Sequence, residues 1–74
     1  MKAEIGRRYR HYKGKEYTVL HIARHTETLE ELVVYRAEYD TEDFGKNPIW
    51  CRPRAMFEDT VEVNGENIER FTQL

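Results

Sequence analysis

Three histidines and one cysteine are the side chains of this 74-residue sequence best suited to metal binding or nucleophilic catalysis. His21 and His25 are four residues apart, a spacing that suits zinc on a helix. On a strand, the same spacing separates the two side chains by about 13 Å, too far to share one ion. Cys51 with a histidine would make a nucleophile and its base, but it follows Trp50 in an apolar stretch, which predicts a buried, unreactive thiol. We therefore predict no metal, no cofactor and no catalytic residue.

Basic and aromatic residues are interleaved between Arg7 and Lys13, a pattern typical of surfaces that bind phosphates and bases. If this segment is a strand, positive charge continues along the following strand as a stripe, which suits an extended anionic partner. The candidate binding residues of this basic stripe are Arg8, Arg10, Tyr12, Lys13 and Arg24. The alternative interpretation is that the tyrosines pack in the core and the acidic segment 40–43 covers the arginines.

A second candidate surface combines aromatic rings with an arginine. Tyr35, Trp50 and Arg52, together with Tyr12, are residue types found in the hot spots of protein interfaces and in peptide-binding grooves. The alternative is that Tyr35 and Trp50 are simply the largest residues of the core. The two alternatives predict opposite exposures for Trp50.

Charge is distributed unevenly along a chain whose net charge is −2. Residues 1–25 carry seven basic and two acidic side chains, whereas residues 26–74 carry five basic and twelve acidic ones. The acidic total argues against a dedicated nucleic-acid-binding protein, for which a basic pI is typical. No stretch approaches the roughly 18 apolar residues of a membrane span. A single cysteine excludes an internal disulfide, so we expect a cytoplasmic protein.

Short strands separated by turns are predicted to position these side chains. Residues 1–7 lack periodicity and are predicted to be a flexible arm, and residues 8–72 a single β domain. Apolar alternation and turn residues predict strands at 8–12, 16–25, 32–39, 49–52, 60–63 and around 68–71. Asn64-Gly65 predicts a type I′ hairpin. The segments 28–31 and 54–58 are each candidates for one helical turn.

The second predicted strand carries apolar residues on both faces, with Tyr17 and Val19 on one and Leu20 and Ile22 on the other. Either both faces are covered, or a bulge near His21 exchanges them. The predicted core, from agreeing periodicities, is Val33, Tyr35, Ala37, Trp50, Phe57, Val61 and Val63, with Met56 beside Phe57. Strands this short and this evenly spaced argue for a small antiparallel barrel or sandwich.

Several strings of the sequence resemble one family of small, mostly bacterial proteins classed only as a domain of unknown function. They are Tyr9-Arg10-His11-Tyr12-Lys13-Gly14, Tyr17-x-Val19-Leu20, Ile22-Ala23-Arg24-His25-Thr26-Glu27-Thr28, Leu29-Glu30-Glu31-Leu32-Val33-Val34-Tyr35-Arg36-Ala37 and Trp50-x-Arg52-Pro53-x-x-Met56-Phe57. The resemblance covers about residues 9–71. It implies a small β-barrel of SH3-like type and brings no established activity.

The fold expected from these patterns and from the resemblance is all-β, a small SH3-like antiparallel barrel of five or six strands with one or two helical turns. The expected function is that of a non-enzymatic binding module with a protein or peptide partner. One alternative is RNA or DNA binding through the basic first hairpin, and another is a structural, oligomer-forming domain. Salt separates the first two, because counterion release makes phosphate binding weaken steeply with salt.

Overall fold

The computed structural model describes all 74 residues and contains seven short strands and one helix of a single turn. In chain order the elements are β1 (Arg8–His11), β2 (Glu16–Arg24), β3 (Glu31–Ala37), β4 (Ile49–Pro53), α1 (Arg54–Phe57), β5 (Thr60–Val63), β6 (Glu66–Glu69) and β7 (Phe71–Gln73). The expected all-β class is confirmed, with seven strands in place of five or six. The strand predicted around 68–71 is interrupted at Arg70, so this part of the chain forms two strands, β6 and β7. The segment 28–31, a candidate for one helical turn, forms no helix. The single helix lacks the length and apolar character needed to cross a membrane.

Five strands form one antiparallel sheet in the order β4-β3-β2-β1-β7, while β5 and β6 form a separate hairpin. The chain runs through β1 to β4 as a meander, and β7 returns to the free side of β1. Strands β4 and β7 are therefore the two edges of the sheet. In the β5–β6 turn, Asn64 has a φ of 53° and Gly65 a φ of 82°, the left-handed pair that a type I′ turn requires.

A bulge in β2 changes which of its alternate side chains point to the core. Its pairing with β3 shifts between Val19, opposite Tyr35, and His21, opposite Val34. Val19 is fully buried before the bulge, and Ile22 packs against the core after it. The bulge near His21 is thus confirmed, and it explains how one strand carries inward apolar residues at both parities.

The core is built mainly from aromatic rings. Its members are Ala3, Tyr9, Val19, Val33, Tyr35, Phe57 and Phe71, and Ala37 is also buried. Phe57 of α1 stacks on Phe71 of β7 with ring centroids 3.9 Å apart and an interplanar angle of 10°. The ring of Tyr9 meets Phe57 edge-on at 5.6 Å. Among the predicted core residues, the structure confirms Val33, Tyr35, Ala37 and Phe57.

Trp50 and Cys51 of β4 are more exposed than the sequence predicts. Trp50 is 36% exposed because β4 is an edge strand, whose side chains have sheet neighbours on one side only. Cys51 is exposed because it lies opposite Val34, on the outer face of the sheet. The predictions of a buried Trp50 and of a buried thiol are therefore wrong.

Three other predicted core residues also lie nearer the surface. Met56 is 48% exposed, since the single turn of α1 directs only Phe57 into the core. Val61 and Val63 are half-buried, because the β5–β6 hairpin lies outside the five-stranded sheet. The apolar alternation of this hairpin predicts its inward face but not the depth at which that face is buried.

The segment 1–7 contains no strand, as expected for an arm, but its first residues are attached to the domain. Ala3 is 4% exposed, and its amide donates to a carboxylate oxygen of Glu58 at 2.7 Å. The amide of Glu4 donates to the Tyr9 hydroxyl at 2.9 Å. Burial opposes ionisation of Glu58, but the Ala3 amide and Arg54 outweigh it and lower the pKa of that carboxyl. These contacts make the segment part of the packed domain.

Candidate functional site

Strand β4 pairs with β3 along one side and with no strand along the other. The amide of Ala37 donates to the carbonyl of Pro48 at 2.8 Å, so these residues form a hydrogen-bonded pair. Hydrogen-bonded and non-hydrogen-bonded pairs alternate along an antiparallel ladder. It follows that Trp50 and Arg52 direct their backbone groups to β3.

The backbone N–H and C=O groups of Ile49 and Cys51 therefore face the open edge. On the other side of β3, the amide of Glu38 donates to the carbonyl of Glu16 at 3.0 Å, which fits the same alternation. None of the backbone hydrogen bonds outside the strand ladders involves Ile49 or Cys51. The edge thus offers two donor–acceptor pairs, separated by about 6.6 Å along the strand.

A proline limits this open edge at its end. Pro53 ends β4 with its backbone directed outward like those of Ile49 and Cys51, and it has no amide hydrogen to donate. Prolines at an edge are one way in which proteins prevent unlimited addition of strands from other chains. The edge is therefore open over a short and defined length.

An apolar patch lies on the same strand. Trp50 lies opposite Tyr35 on the core face of the sheet, and Phe44 meets the indole edge-on with ring centroids 4.9 Å apart. Phe44 and Ile49 are each 62% exposed, so the apolar surface extends on both sides of the edge. Exposed aromatic residues grouped in this way are typical of protein-interaction surfaces.

Arg52 also lies on the core face, opposite Val33. Its side chain is half-buried, and its guanidinium lies 5.6 Å from the centre of the Phe71 ring. The buried nitrogen Nη1 has no hydrogen-bond partner. None of the seven salt bridges of the protein involves Arg52. A cation with no carboxylate partner therefore lies two residues from Trp50.

Aromatic side chains surround this guanidinium. Burial raises the pKa of Tyr35, and the charge of Arg52 and its contact with the Tyr35 side chain oppose that rise. The hydroxyls of Tyr17 and Tyr39 lie 2.6 Å apart, and burial together with this hydrogen bond raises the pKa of Tyr17. Tyr17 and Tyr35 are therefore neutral at physiological pH, and neither supplies a negative charge to Arg52.

His11 gives the stability of the domain a pH dependence. Burial lowers its pKa, and the positive charges of Arg52, Arg70 and Lys13 lower it further. The folded state therefore favours the neutral imidazole. The unfolded chain begins to bind a proton as the pH falls through about 6.5, so stability is fully present above that pH and decreases below it, towards the lowered folded pKa.

We expect urea unfolding to show a decreasing free energy of unfolding as the pH is lowered from about 7.5 to about 5.5. In His11→Gln this slope should become shallower, because the titrating group is gone. The matched control is His21→Gln, which changes an exposed histidine on β2 and should keep the wild-type slope. Equal slopes in wild type and His11→Gln would contradict the assignment.

The residues of the basic stripe are placed separately from Trp50 and Arg52. Arg8 and Arg10 lie on the exposed face of β1, and both form salt bridges with Glu16, at 3.1 and 3.2 Å. Their acidic partner thus comes from the neighbouring strand β2 rather than from the segment 40–43. Lys13 lies 5.9 Å from the centre of the Tyr12 ring, beyond the end of β1.

Arg24 lies apart from the other candidates. It donates to the carbonyl of Leu29 at 2.6 Å and borders an open cleft of about 750 Å³. Within that cleft Arg54 pairs with Glu31 at 3.2 Å and with Glu58 at 2.9 Å. The charges of these three side chains therefore largely neutralise one another. No group of three His, Cys, Asp or Glu side chains in the protein is arranged to hold a metal ion.

The structure brings Tyr35, Trp50 and Arg52 together and leaves the basic residues elsewhere. It adds two features that the sequence analysis missed: Phe44, which lies in the loop before β4, and the unpaired backbone of Ile49 and Cys51. One signal for the second was present, because prolines on both sides of a short strand favour an edge position.

Comparison with known proteins shows similarity to a single family over almost the whole chain. A family model described as "Protein of unknown function (DUF1653)" matches residues 7–73. A crystal structure of a DUF1653 protein from Bordetella bronchiseptica is 32% identical, with a TM-score of 0.80 over 96% of this chain and 87% of that one. No curated protein matches the chain significantly.

Proposed function

We propose that this chain, which belongs to the family described as "Protein of unknown function (DUF1653)", is a non-enzymatic binding module for extended peptides. The observation that carries the proposal is the unpaired backbone of Ile49 and Cys51 beside the exposed ring of Trp50. A peptide in extended conformation adds to such an edge as a further strand, and pockets for alternate side chains give specificity. Phe44 and Trp50 supply one such apolar contact.

Two features of the molecule favour binding over catalysis. The core is filled by aromatic rings, and the two surface clefts are open and do not enclose a reaction centre. The single cysteine is exposed on the outer face, and no histidine is hydrogen-bonded to it. We assign the cytoplasm as its compartment, because a free, exposed thiol and a fold without disulfides suit a reducing environment.

The strand order supports a barrel of SH3-like type. Strand β7 returns to pair with β1, and the bulged strand β2 lies at the centre of the sheet, between β1 and β3. The helix α1 places the buried ring of Phe57 against the core. The bulge increases the local twist and helps the sheet to curl on itself. In this arrangement β4 remains an unpaired edge.

Nucleic-acid binding through the basic stripe has less support. Arg8 and Arg10 are each more than half exposed, but the carboxylate of Glu16 lies between them and offsets part of their charge. Glu38 adds a second carboxylate on this face, where it accepts hydrogen bonds from Thr18 and Arg36. These hydrogen bonds lower the pKa of Glu38, so that it stays charged at neutral pH.

The proposal is tested by blocking the edge without disturbing β3. The Cys51 amide faces outward, so Cys51→Pro removes one edge donor and places a ring in the path of an added strand. The probe is a capped octapeptide of threonine with a central Leu-Thr-Gln, and binding is followed by the fluorescence of Trp50, the only tryptophan. We expect Cys51→Pro to weaken binding at least about tenfold.

Cys51→Ala is the matched control, because it removes the thiol and keeps the amide. It should bind the octapeptide as wild type does, and thermal melts should show all three proteins folded. Equal binding by Cys51→Pro and wild type would reject the β4 edge as the site. Capture of a thymidine oligonucleotide that is lost in Arg8→Glu/Arg10→Glu, with no binding of the peptide, would instead support the basic stripe.

A further inference from the structure

Arg52 is a partly buried cation whose opposite charge is missing from the chain. Its Nη1 has no hydrogen-bond partner, and no carboxylate lies within salt-bridge distance. A desolvated charge without a partner is costly, and proteins normally pair or hydrogen-bond such groups. The cation–π contact with Phe71 and the contact with the Tyr35 side chain offset part of this cost but supply no negative charge.

The position of Arg52 relative to Trp50 defines the geometry of a partner. The two residues are two positions apart on one strand, so their side chains lie on the same face of the sheet. A strand added to β4 has the same period, and its cross-strand side chains lie about 4.5–5.5 Å from their neighbours. The residue that meets Arg52 is therefore two positions from the residue that meets Trp50.

The charges around Arg52 favour an acidic residue at that position. The positive charges of Arg52, Arg70 and Lys13 all act on His11, which places three cations around this part of the domain. His11 is neutral, because burial and these cations lower its pKa. The site is thus locally positive within a chain whose net charge is −2. A carboxylate from outside the chain would meet complementary charge there.

We infer that the peptide bound at the β4 edge is an acidic segment of another protein, with an aspartate or glutamate two residues from its apolar anchor. The inference rests on the proposed function and adds a specificity to it. The anchor packs on Trp50 and Phe44, and the carboxylate pairs with the accessible side of the half-buried guanidinium of Arg52. The order is apolar-x-acidic or acidic-x-apolar, according to the direction in which the peptide runs.

The competing explanation assigns Arg52 a protective role. A charged side chain pointing inward on an edge strand discourages sheet-to-sheet aggregation and needs no partner. A second copy of this chain is the other possible occupant, since two β4 strands could pair about a two-fold axis. The three explanations differ in whether a carboxylate on a peptide changes its affinity.

The experiment compares capped threonine octapeptides that contain Leu-Thr-Glu, Leu-Thr-Gln, Glu-Thr-Leu or Gln-Thr-Leu, titrated against the full chain at low salt. We expect one glutamate peptide to bind about tenfold more tightly than its glutamine counterpart. Arg52→Met keeps an unbranched apolar stem over Phe71 and removes the charge. It should abolish the preference for the glutamate peptide over its glutamine counterpart.

Arg52→Lys is the second variant, because it keeps the charge but loses the planar fork, and it should retain part of the preference. Equal affinities of the glutamate and glutamine peptides for wild type would overturn the inference while leaving the peptide-binding function intact. Failure of all four peptides to bind would overturn both. A wild-type dimer that Cys51→Pro dissociates would identify a second copy as the occupant and would also overturn the inference.

Discussion

Replacing Phe57 by alanine is expected to destabilise the protein by about 3–5 kcal/mol, which is most of the stability of a domain this small. Phe57 is fully buried and contacts the rings of Phe71, Tyr9 and Tyr35 at centroid distances of 3.9, 5.6 and 5.4 Å. Its removal leaves a cavity at the place where α1, β1, β3 and β7 meet. A chain of 74 residues has no second core to compensate.

Thermal melts and urea titrations would measure this loss. Met56→Ala is the matched control, because Met56 precedes Phe57 on the same turn and is 48% exposed. It should change the free energy of unfolding by less than about 1 kcal/mol. Similar losses for the two variants would show that α1 is held by its backbone rather than by the ring of Phe57.

Replacing Trp50 by alanine is expected to weaken peptide binding about 30-fold, the loss typical of an interface hot spot. The indole is the largest exposed side chain on β4, and Phe44 packs against its edge. The fold should remain, because Trp50 is 36% exposed and is not part of the buried core. Calorimetry would measure the affinity, since this variant has lost the fluorescent reporter.

Leu29→Ala is the control for this variant, because it removes an apolar side chain that is 63% exposed in a different loop. Its affinity for the octapeptides should equal that of wild type. If Trp50→Ala bound the peptides as tightly as wild type, the aromatic patch would have no part in recognition. The open backbone of β4 would then have to account for binding alone.

Local sequence patterns predict much of the fold, because strand alternation and tight turns depend on interactions between residues close together in the chain. The alternation along β3 gave the buried residues Val33, Tyr35 and Ala37, and the Asn64-Gly65 pair gave the type I′ turn. The bulge near His21 was one of two explanations for apolar residues on both faces of β2. These features depend on residues close together in the sequence.

Features that depend on the order of strands were predicted poorly. The alternation of β4 is the same whether the strand lies at the centre or the edge of a sheet, so the pattern alone is consistent with Trp50 in the core and with Trp50 on a surface. Ala3 and Phe71 enter the core because the ends of the chain meet α1 and β1 in space. No periodicity in the residues next to them indicates such contacts.

The sequence indicates the residue types of the candidate site but not their arrangement. The residue types at Tyr35, Trp50 and Arg52 indicated an interaction surface, and the structure places them together. That Arg52 lies on the core face without an acidic partner follows from its register opposite Val33, which no local pattern specifies. The unpaired amides of Ile49 and Cys51 are likewise a property of the sheet rather than of the sequence.

Amide hydrogen exchange of the individual residues of β4, with and without a saturating octapeptide, tests the central claim most directly. In the free protein, the amides of Trp50 and Arg52 should be protected by β3, whereas those of Ile49 and Cys51 should exchange rapidly. Added peptide should slow exchange at Ile49 and Cys51 and leave Trp50 and Arg52 little changed. Rapid exchange at Ile49 and Cys51 in the presence of bound peptide would contradict strand addition at the β4 edge.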